Sequence, residues 1–217
     1  DPERYKYVLP PELVAQEPAT PRDSSKLLVY DTTSDTVSID RFFNLNKYVP
    51  ENSFLVLNKT KVLPSRIYLY KENGGKVKTL FLVNELKGAV VKAMLDRYVA
   101  IGQRLHIDGK YWFKVVEQDE HIFSLLIEFA QDEFIKLLYE KGSMPIPPYL
   151  KKSTLTEDEL RVKYQTIFAE DEGSAAAPTA SLHFTKDVFE KLEKKGIKKT
   201  FVKLHVGAGT FAPLLQK

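Results

Sequence analysis

Three stretches of the chain differ in the spacing of their apolar residues, and each spacing predicts a different arrangement of secondary structure. In the first stretch, residues 27–30 and 36–39 flank the turn-like Thr33-Ser-Asp35 and predict a β-hairpin. Residues 53–57 form a continuous apolar run, which is typical of a strand buried on both faces. Polar side chains follow this run from Asn58 onwards, and ligands of α/β sheets usually bind just beyond the carboxyl ends of strands.

Between residues 67 and 129 the chain alternates between short segments of mixed polarity and turn residues. Glycine-containing turns such as Asn73-Gly-Gly75 and Asp108-Gly109 separate these segments, and no helical period interrupts them. Short strands at near-regular spacing predict a small antiparallel barrel or sandwich. The six predicted strands cover residues 66–70, 77–83, 89–94, 103–107, 111–116 and 122–127.

A helical spacing of apolar residues returns after residue 130. Residues 132–140 predict a helix that ends at Gly142, and Thr156 and Thr185 are predicted to cap two further helices. A strand is predicted over residues 201–206. We therefore expect the α/β class, with one α/β domain formed by residues 1–66 and 130–217 and a small antiparallel β-barrel domain inserted at residues 67–129.

Composition and charge narrow the class of protein without naming a reaction. The 217 residues carry a net charge of +3 and include no cysteine, which excludes a disulfide framework, a thiolate metal site and a catalytic thiol. No apolar run is long enough to cross a bilayer, so we expect a cytoplasmic protein. Residues 191–203 hold six lysines against one glutamate, and this segment is either a solvated helix face or a patch that contacts phosphates.

Two histidines near the end of the chain are the strongest candidates for chemistry. His183 precedes a predicted helix cap, and His205 lies inside the predicted strand and is followed by Gly207-Ala-Gly209. Each imidazole is either a structural group bonded to its surroundings or a general acid or base, because histidine titrates near neutral pH. His106 and His121 lie among polar neighbours in the β-rich region and are expected at the surface. The residues alone therefore indicate a pocket between two domains and no particular reaction.

Blocks of sequence along the whole chain nevertheless resemble the S-adenosylmethionine:tRNA ribosyltransferase-isomerase family of queuosine biosynthesis. The resemblance rests on their order as well as their content. The blocks are Leu9-Pro-Pro-Glu-Leu-Val-Ala-Gln16, Leu27-Leu-Val29, Leu55-Val-Leu-Asn-Lys-Thr-Lys-Val-Leu-Pro-Ser-Arg66, Gly74-Gly-Lys-Val77, Gly142-Ser-Met-Pro-Ile-Pro-Pro-Tyr149, Tyr164-Gln-Thr166, Ala176-Ala-Pro-Thr-Ala-Ser-Leu-His-Phe184 and Leu204-His-Val-Gly-Ala-Gly-Thr-Phe211.

The resemblance implies a reaction and its substrates. The family transfers the ribosyl part of S-adenosylmethionine, a co-substrate, to 7-aminomethyl-7-deazaguanine at the tRNA wobble position, and it isomerises the ribose to give epoxyqueuosine. Adenine and methionine are released, and no metal or prosthetic group is implied. The same resemblance implies an α/β domain interrupted by a β-barrel, which agrees with the segmentation above. We expect a monomer that does not associate with membranes.

The resemblance also places the expected site residues, while their roles follow from residue type. His183 and His205 are the candidates for the proton transfers. Lys61 and Arg66 are expected to hold phosphate or ribose oxygens, and Tyr149, Tyr164 or Phe184 to stack on a base. The full set of expected substrate-binding residues is Asn58, Thr60, Lys61, Arg66, Tyr149, Tyr164, Gln165, Thr166, Pro178, Thr179, Phe184, Gly207, Gly209 and Thr210.

One departure from the family pattern affects the expected activity. The family typically continues well past the position of Phe211, so we expect the α/β domain to be incomplete at its C-terminus. Two readings besides the enzyme therefore stay open. One is a truncated homologue that binds tRNA without catalysis, and the other is an interaction domain with no role in RNA binding.

Overall fold

The fold contains a closed β-barrel and a mixed α/β part that is built from the sequence on either side of the barrel. It is seen in a computed structural model that describes residues 2–147, 149–150 and 153–210. The barrel strands are β5 (Arg66–Lys71), β6 (Lys76–Lys87), β7 (Val90–Leu95), β8 (Arg104–Ile107), β9 (Tyr111–Asp119) and β10 (Ile122–Ile127). The remaining elements are β1 (Lys26–Asp31), β2 (Thr36–Arg41), β3 (Phe54–Asn58), β4 (Thr60–Val62), α1 (Gln131–Lys141), α2 (Glu157–Lys163), β11 (Asp171–Ser174), α3 (Lys186–Lys194) and β12 (Lys198–Val202).

The barrel closes in the order β10-β7-β6-β5-β8-β9, and every neighbouring pair of strands is antiparallel. Closure removes the free strand edges that an open sheet of this size would expose. The predicted α/β class with an inserted antiparallel barrel is confirmed. The exact domain boundaries at residues 66/67 and 129/130 stay a prediction, and residues 211–217 of the predicted α/β domain lie outside the described residues.

Helix α1 covers the barrel and completes its core. Phe134, Leu137 and Leu138 fall on one face of the helix because residues three and four apart are neighbours there. All three are buried in the same cluster as the barrel interior. The Phe134 ring packs edge-on against Phe81, with 5.1 Å between ring centroids. Gly142 ends the helix so close to the chain before β5 that a Cβ atom there would lie 1.8 Å from the Pro64 carbonyl oxygen.

The α/β part has a second core, between the inner face of β3 and helix α3. Strands β3 and β12 run parallel, and the core beneath them contains Phe42, Leu57, Phe184, Val188, Leu192 and Ile197. The prediction that residues 53–57 are buried on both faces is wrong, since Phe54 is 65% and Val56 is 55% exposed. Among the described residues, strand β3 pairs only with β12, and the α3 core covers only one of its two faces.

Short elements complete the α/β part. Strands β1 and β2 form the predicted antiparallel hairpin, and β4 pairs in parallel with β11. Thr156 and Glu159 form a reciprocal capping box at the start of α2, and the Thr185 hydroxyl accepts from the Val188 N–H at the start of α3. Each cap satisfies backbone donors that a helix N-terminus leaves free. No helix in the described part of the chain is long and apolar enough to span a bilayer.

Candidate active site

His205 lies in an irregular segment just beyond the parallel pair of β3 and β12. The predicted strand over residues 201–206 is wrong at its end, because β12 stops at Val202. The amide of Asn58 replaces the strand ladder at this point: its Nδ2 donates to the Leu204 carbonyl at 2.8 Å and its Oδ1 accepts from the Leu204 N–H at 3.1 Å. This side chain therefore turns the chain out of the sheet and presents His205 at the carboxyl end of β3.

The imidazole of His205 contacts the hydroxyl of Thr60 on one side and the backbone of Gly173 on another. Its Nδ1 lies 2.7 Å from Oγ1 of Thr60, a residue with no exposed surface. A Cβ atom at Gly173 would lie 2.9–3.2 Å from the three nearest ring atoms of His205, closer than a side chain normally allows. Gly173 also has a φ of +141°, a conformation that L-residues rarely adopt. Glycine at this position therefore lets the ring lie directly against β11.

The surroundings of His205 favour its neutral form. Burial, then the positive charge of Lys203, lower the pKa of His205 below the ordinary value of 6.5, while the Asp171 carboxylate opposes them. Asp171 in turn contacts Lys59 at 3.1 Å and Lys203 at 3.7 Å. An imidazole that is neutral at physiological pH is able to accept a proton, as a general base requires.

We expect a proton NMR titration of the His205 ring to give a midpoint below pH 6.5. Lys203→Gln is expected to raise the midpoint by removing a like charge, and Asp171→Asn to lower it further. The pKa of His205 is lower in the folded chain than in the unfolded chain. At pH values between these two pKa values, the folded chain therefore binds fewer protons than the unfolded chain. Stability from this group is thus present above the unfolded pKa and is lost as the pH falls through the folded pKa. A midpoint above 6.5, or one that does not respond to Lys203→Gln, would contradict this account.

Charged side chains line the parallel pair of β4 and β11. The Lys61 ammonium contacts Glu172 at 3.0 Å, and the Tyr139 hydroxyl donates to the same carboxylate oxygen at 2.5 Å. These two partners outweigh burial and lower the pKa of Glu172. Lys61 therefore lies in an ion pair with Glu172. To bind a phosphate it would have to share its charge with Glu172.

His183 lies in a second polar cluster, at the start of the segment that leads into α3. Its Nδ1 is 2.9 Å from the Ser25 hydroxyl, and its ring packs at 5.4 Å from the Phe42 ring. The Arg22 guanidinium donates to the Leu182 carbonyl at 3.2 Å and to the Gln165 carbonyl at 2.9 Å. The N-terminal turn around Arg22 thus holds the histidine-bearing segment from one side.

Gln165 connects the two histidine clusters. Its side chain bonds both backbone groups of Val62, with the Val62 N–H at 3.0 Å and the carbonyl at 2.7 Å. Val62 lies two residues after Thr60, the partner of His205. Through Arg22 and Gln165, the His183 segment is therefore tied by hydrogen bonds to the strand that carries Thr60.

The other expected site residues differ widely in exposure. Tyr164, Thr166 and Phe184 are buried, with exposed fractions of 7%, 4% and 6%. Tyr164 packs with Val62, and Phe184 stacks on Phe189 at 4.8 Å between ring centroids. A ligand base cannot stack on either ring as they stand. The Thr166 hydroxyl has no hydrogen-bond partner among the described residues.

A second group of expected site residues is accessible or lies at the boundary with the barrel. Tyr149 is 61% exposed, and Thr179, Gly209 and Thr210 are also exposed, whereas Pro178 is half-buried. Gly207 lies against β6, where a Cβ atom would come within 3.1 Å of the Asn84 amide. The Arg66 guanidinium donates to the Ile146 carbonyl at 3.0 Å, and burial lowers its pKa.

The structure adds residues that sequence reasoning missed. Arg22, Ser25 and Gly173 contact the candidate histidines or their segments, and Tyr139 shares Glu172 with Lys61. Ser25 lies in a polar turn without periodicity, so no local signal distinguished it. A shallow cavity of about 310 Å³ also opens beside Lys59, with the rings of Phe168 and Phe201 in its wall. In the described part of the chain, no three histidine, aspartate or glutamate side chains form a group that would hold a metal ion.

The lysine-rich segment over residues 191–203 is partly committed to structure. Lys191 donates to the Phe43 carbonyl, and Lys195 donates to the carbonyls of Asn46 and Val49. Lys199 pairs with Glu193, and Lys203 with Asp171. Most of these lysines therefore bind groups of the protein itself, on α3 and around it. This favours a solvated helix face over a patch that contacts phosphates.

Comparison with protein families shows which family the chain belongs to. A family described as "Queuosine biosynthesis protein" matches residues 2–217. The chain belongs to this family. Curated relatives named S-adenosylmethionine:tRNA ribosyltransferase-isomerase include one from Sulfurimonas denitrificans, 37% identical over 216 residues, with 97% of this chain and 62% of the relative covered. One from Aquifex aeolicus is 39% identical over 213 residues, with 98% of this chain and 63% of the relative covered.

This member of the queuosine biosynthesis family spans about three fifths of the length of the curated relatives it matches. Among solved structures it is similar to the crystal structure of an S-adenosylmethionine tRNA ribosyltransferase from Thermotoga maritima. That similarity has a TM-score of 0.36 at 29% identity and covers 93% of this chain and 57% of the other.

Proposed function

We propose that this protein is an S-adenosylmethionine:tRNA ribosyltransferase-isomerase. In this reaction the ribosyl moiety of S-adenosylmethionine is transferred to 7-aminomethyl-7-deazaguanine in tRNA and isomerised to give epoxyqueuosine, with release of adenine and methionine. The observation that carries the proposal is the family match over residues 2–217, together with relatives that bear this name. S-adenosylmethionine is the co-substrate, and neither a metal nor a prosthetic group is assigned.

The proposed chemistry needs two proton transfers, and the two histidine clusters supply candidates for them. The sulfonium makes the neighbouring C5′ proton of the ribose acidic, so a base removes it, and adenine departs more readily when an acid protonates it. His205 suits the base, because its lowered pKa keeps the imidazole neutral and Thr60 fixes the orientation of its ring. His183 is the second proton-transfer group, oriented by Ser25.

The proposed binding groups include residues at the carboxyl end of β3. Asn58 and Thr60 shape this end, and Gly207 and Gly209 allow the backbone to approach a ligand closely. Lys61 and Arg66 are assigned to phosphate or ribose oxygens, with Lys61 released from Glu172 when substrate binds. Tyr149 is the accessible ring for stacking on a base, since Tyr164 and Phe184 are buried. The other assigned residues are Gln165, Thr166, Pro178, Thr179 and Thr210.

The substrates imply the remaining assignments. The partner is a tRNA that carries 7-aminomethyl-7-deazaguanine at the wobble position, which places the protein in the cytoplasm and away from membranes. We propose a monomer in which residues 67–129 form the inserted barrel domain. Binding of tRNA through phosphates is expected to weaken as salt concentration rises.

The test is incubation of the protein with S-adenosylmethionine and tRNA that bears the precursor base. Release of adenine, with a matching mass increase of the modified nucleoside, is expected. Unmodified tRNA is the control and should give no release. Binding of tRNA without release of adenine would overturn the enzyme proposal in favour of a tRNA-binding homologue. Absence of tRNA affinity even at low salt would overturn any role in RNA binding.

A further inference from the structure

A short turn near the N-terminus holds His183 by contacts on both sides of the residue. The turn comprises the 3₁₀ helix Arg22–Ser24 and the following Ser25. Arg22 donates to the Leu182 carbonyl at 3.2 Å, and Asp23 accepts from the Thr185 hydroxyl at 2.8 Å. Between these two contacts, the Ser25 hydroxyl lies 2.9 Å from Nδ1 of His183. Contacts at Leu182 and at Thr185, on either side of His183, therefore fix the position of the imidazole relative to Ser25.

The single proton of the Ser25 hydroxyl decides the direction of its bond to His183. The hydroxyl also lies 3.0 Å from the Arg22 carbonyl oxygen, which only accepts hydrogen bonds. If the hydroxyl donates to this carbonyl, its lone pair faces Nδ1 and the imidazole must donate. If Nδ1 carries no proton, two acceptors compete for one hydroxyl proton and one contact is lost. Only the Nδ1–H tautomer satisfies both short contacts at once.

We infer that Ser25 is a positioning residue that holds neutral His183 as its Nδ1–H tautomer, which leaves Nε2 as the one ring nitrogen that accepts a proton. Neutral histidine that is free in water favours the opposite tautomer, with the proton on Nε2. The packing of the ring near Phe42, at 5.4 Å between centroids, limits rotation that would exchange the two nitrogens. Its consequence for catalysis rests on the proposed function: Nε2 is the ring nitrogen through which His183 gains a proton and then donates it to adenine.

The tautomer is measured directly by long-range proton–nitrogen NMR on protein labelled with ¹⁵N at histidine. The spectrum is recorded at a pH about two units above the ordinary histidine pKa. The His183 signals are assigned by their loss in His183→Gln. We expect a protonated Nδ1 and an unprotonated Nε2 in the parent protein. In Ser25→Ala, the ratio of Nδ1–H to Nε2–H tautomer should fall about 2- to 10-fold, as for the loss of one hydrogen bond.

Ser24→Ala is the matched control. Ser24 lies in the same turn and its hydroxyl donates to the Pro21 carbonyl at 2.7 Å rather than to His183. The His183 signals should be the same in Ser24→Ala as in the parent protein. A parent protein with the proton on Nε2, or a Ser25→Ala variant with the parent tautomer ratio, would overturn the inference.

A kinetic measurement separates this inference from the proposed function. If His183 transfers a proton through Nε2 in adenine release, Ser25→Ala should lower kcat in proportion to the Nδ1–H fraction, by at most the roughly 2- to 10-fold fall in the tautomer ratio, with KM for S-adenosylmethionine unchanged. A tautomer change without the matching fall in kcat would support the role of Ser25 and would count against His183 as a proton-transfer group in the proposed reaction.

Discussion

Under the proposed function, replacing His205 with alanine is expected to lower the rate of adenine release by about 10²- to 10⁴-fold, the usual contribution of one positioned acid or base. The imidazole is oriented by Thr60, lies against Gly173 and has a pKa lowered by burial and by Lys203. These contacts place a neutral proton acceptor at the carboxyl end of β3. The measurement is single-turnover release of adenine at saturating S-adenosylmethionine and precursor-bearing tRNA.

Two further variants separate loss of proton transfer from loss of structure. His205→Ala leaves the buried Thr60 hydroxyl without its partner, whereas His205→Gln retains a polar group that does not titrate. Both should lose activity, and the glutamine variant should unfold at nearly the parent temperature. His121→Ala removes an exposed histidine from the barrel and should release adenine at the parent rate. Parent activity in His205→Ala would exclude His205 from the mechanism.

Replacing Phe134 with alanine is expected to lower the free energy of unfolding by about 3–5 kcal/mol. The Phe134 side chain is completely buried where α1 covers the barrel, and it packs against Phe81 and Phe113 at 5.1 and 6.1 Å between ring centroids. The change removes apolar burial and these edge-on ring contacts, and leaves a cavity that a closed barrel cannot easily collapse to fill. Most globular proteins are stable by only about 5–15 kcal/mol, so the loss is large.

Urea unfolding at equilibrium measures this change. Lys136→Ala is the matched control on the same helix, because its side chain is 72% exposed and makes only an i,i+4 contact with Asp132 at 3.7 Å. The control should alter the free energy of unfolding by less than about 0.5 kcal/mol. A loss below about 1 kcal/mol in Phe134→Ala would show that α1 does not complete the barrel core.

Local sequence determined the secondary elements whose periodicity is strong. The alternating segments became the six barrel strands, and the apolar positions of residues 132–140 became the buried face of α1. Thr156 and Thr185 cap the helices for which they were predicted to do so, because a cap depends only on a few neighbouring residues. These features were predictable because each leaves a local pattern in the sequence: the alternation of a strand, the period of a helix or the residue type of a cap.

Burial and strand ends were less predictable, because they depend on partners far away in the sequence. The apolar run over residues 53–57 predicted a strand buried on both faces, yet the described residues cover only one face of β3 and leave Phe54 and Val56 exposed. His205 read as part of a strand, yet Asn58, distant in sequence, ends the ladder by binding Leu204. An apolar run shows only that its side chains are apolar. Whether they are buried, and where the strand ends, depends on residues from other parts of the sequence that pack against the strand or bind its backbone.

The candidate site also has features that the sequence predicts and features that depend on distant residues. By itself the sequence determined the family, because blocks such as Leu204-His-Val-Gly-Ala-Gly209 carry residue types in a fixed order, and it predicted both histidines as candidates for chemistry. Only the tertiary structure decided that Thr60 orients His205, that Ser25 meets His183, and that Tyr164 and Phe184 are buried. These contacts join residues up to 158 positions apart, and hydrogen bonds with directional geometry form only once the backbone brings both partners to within bonding distance.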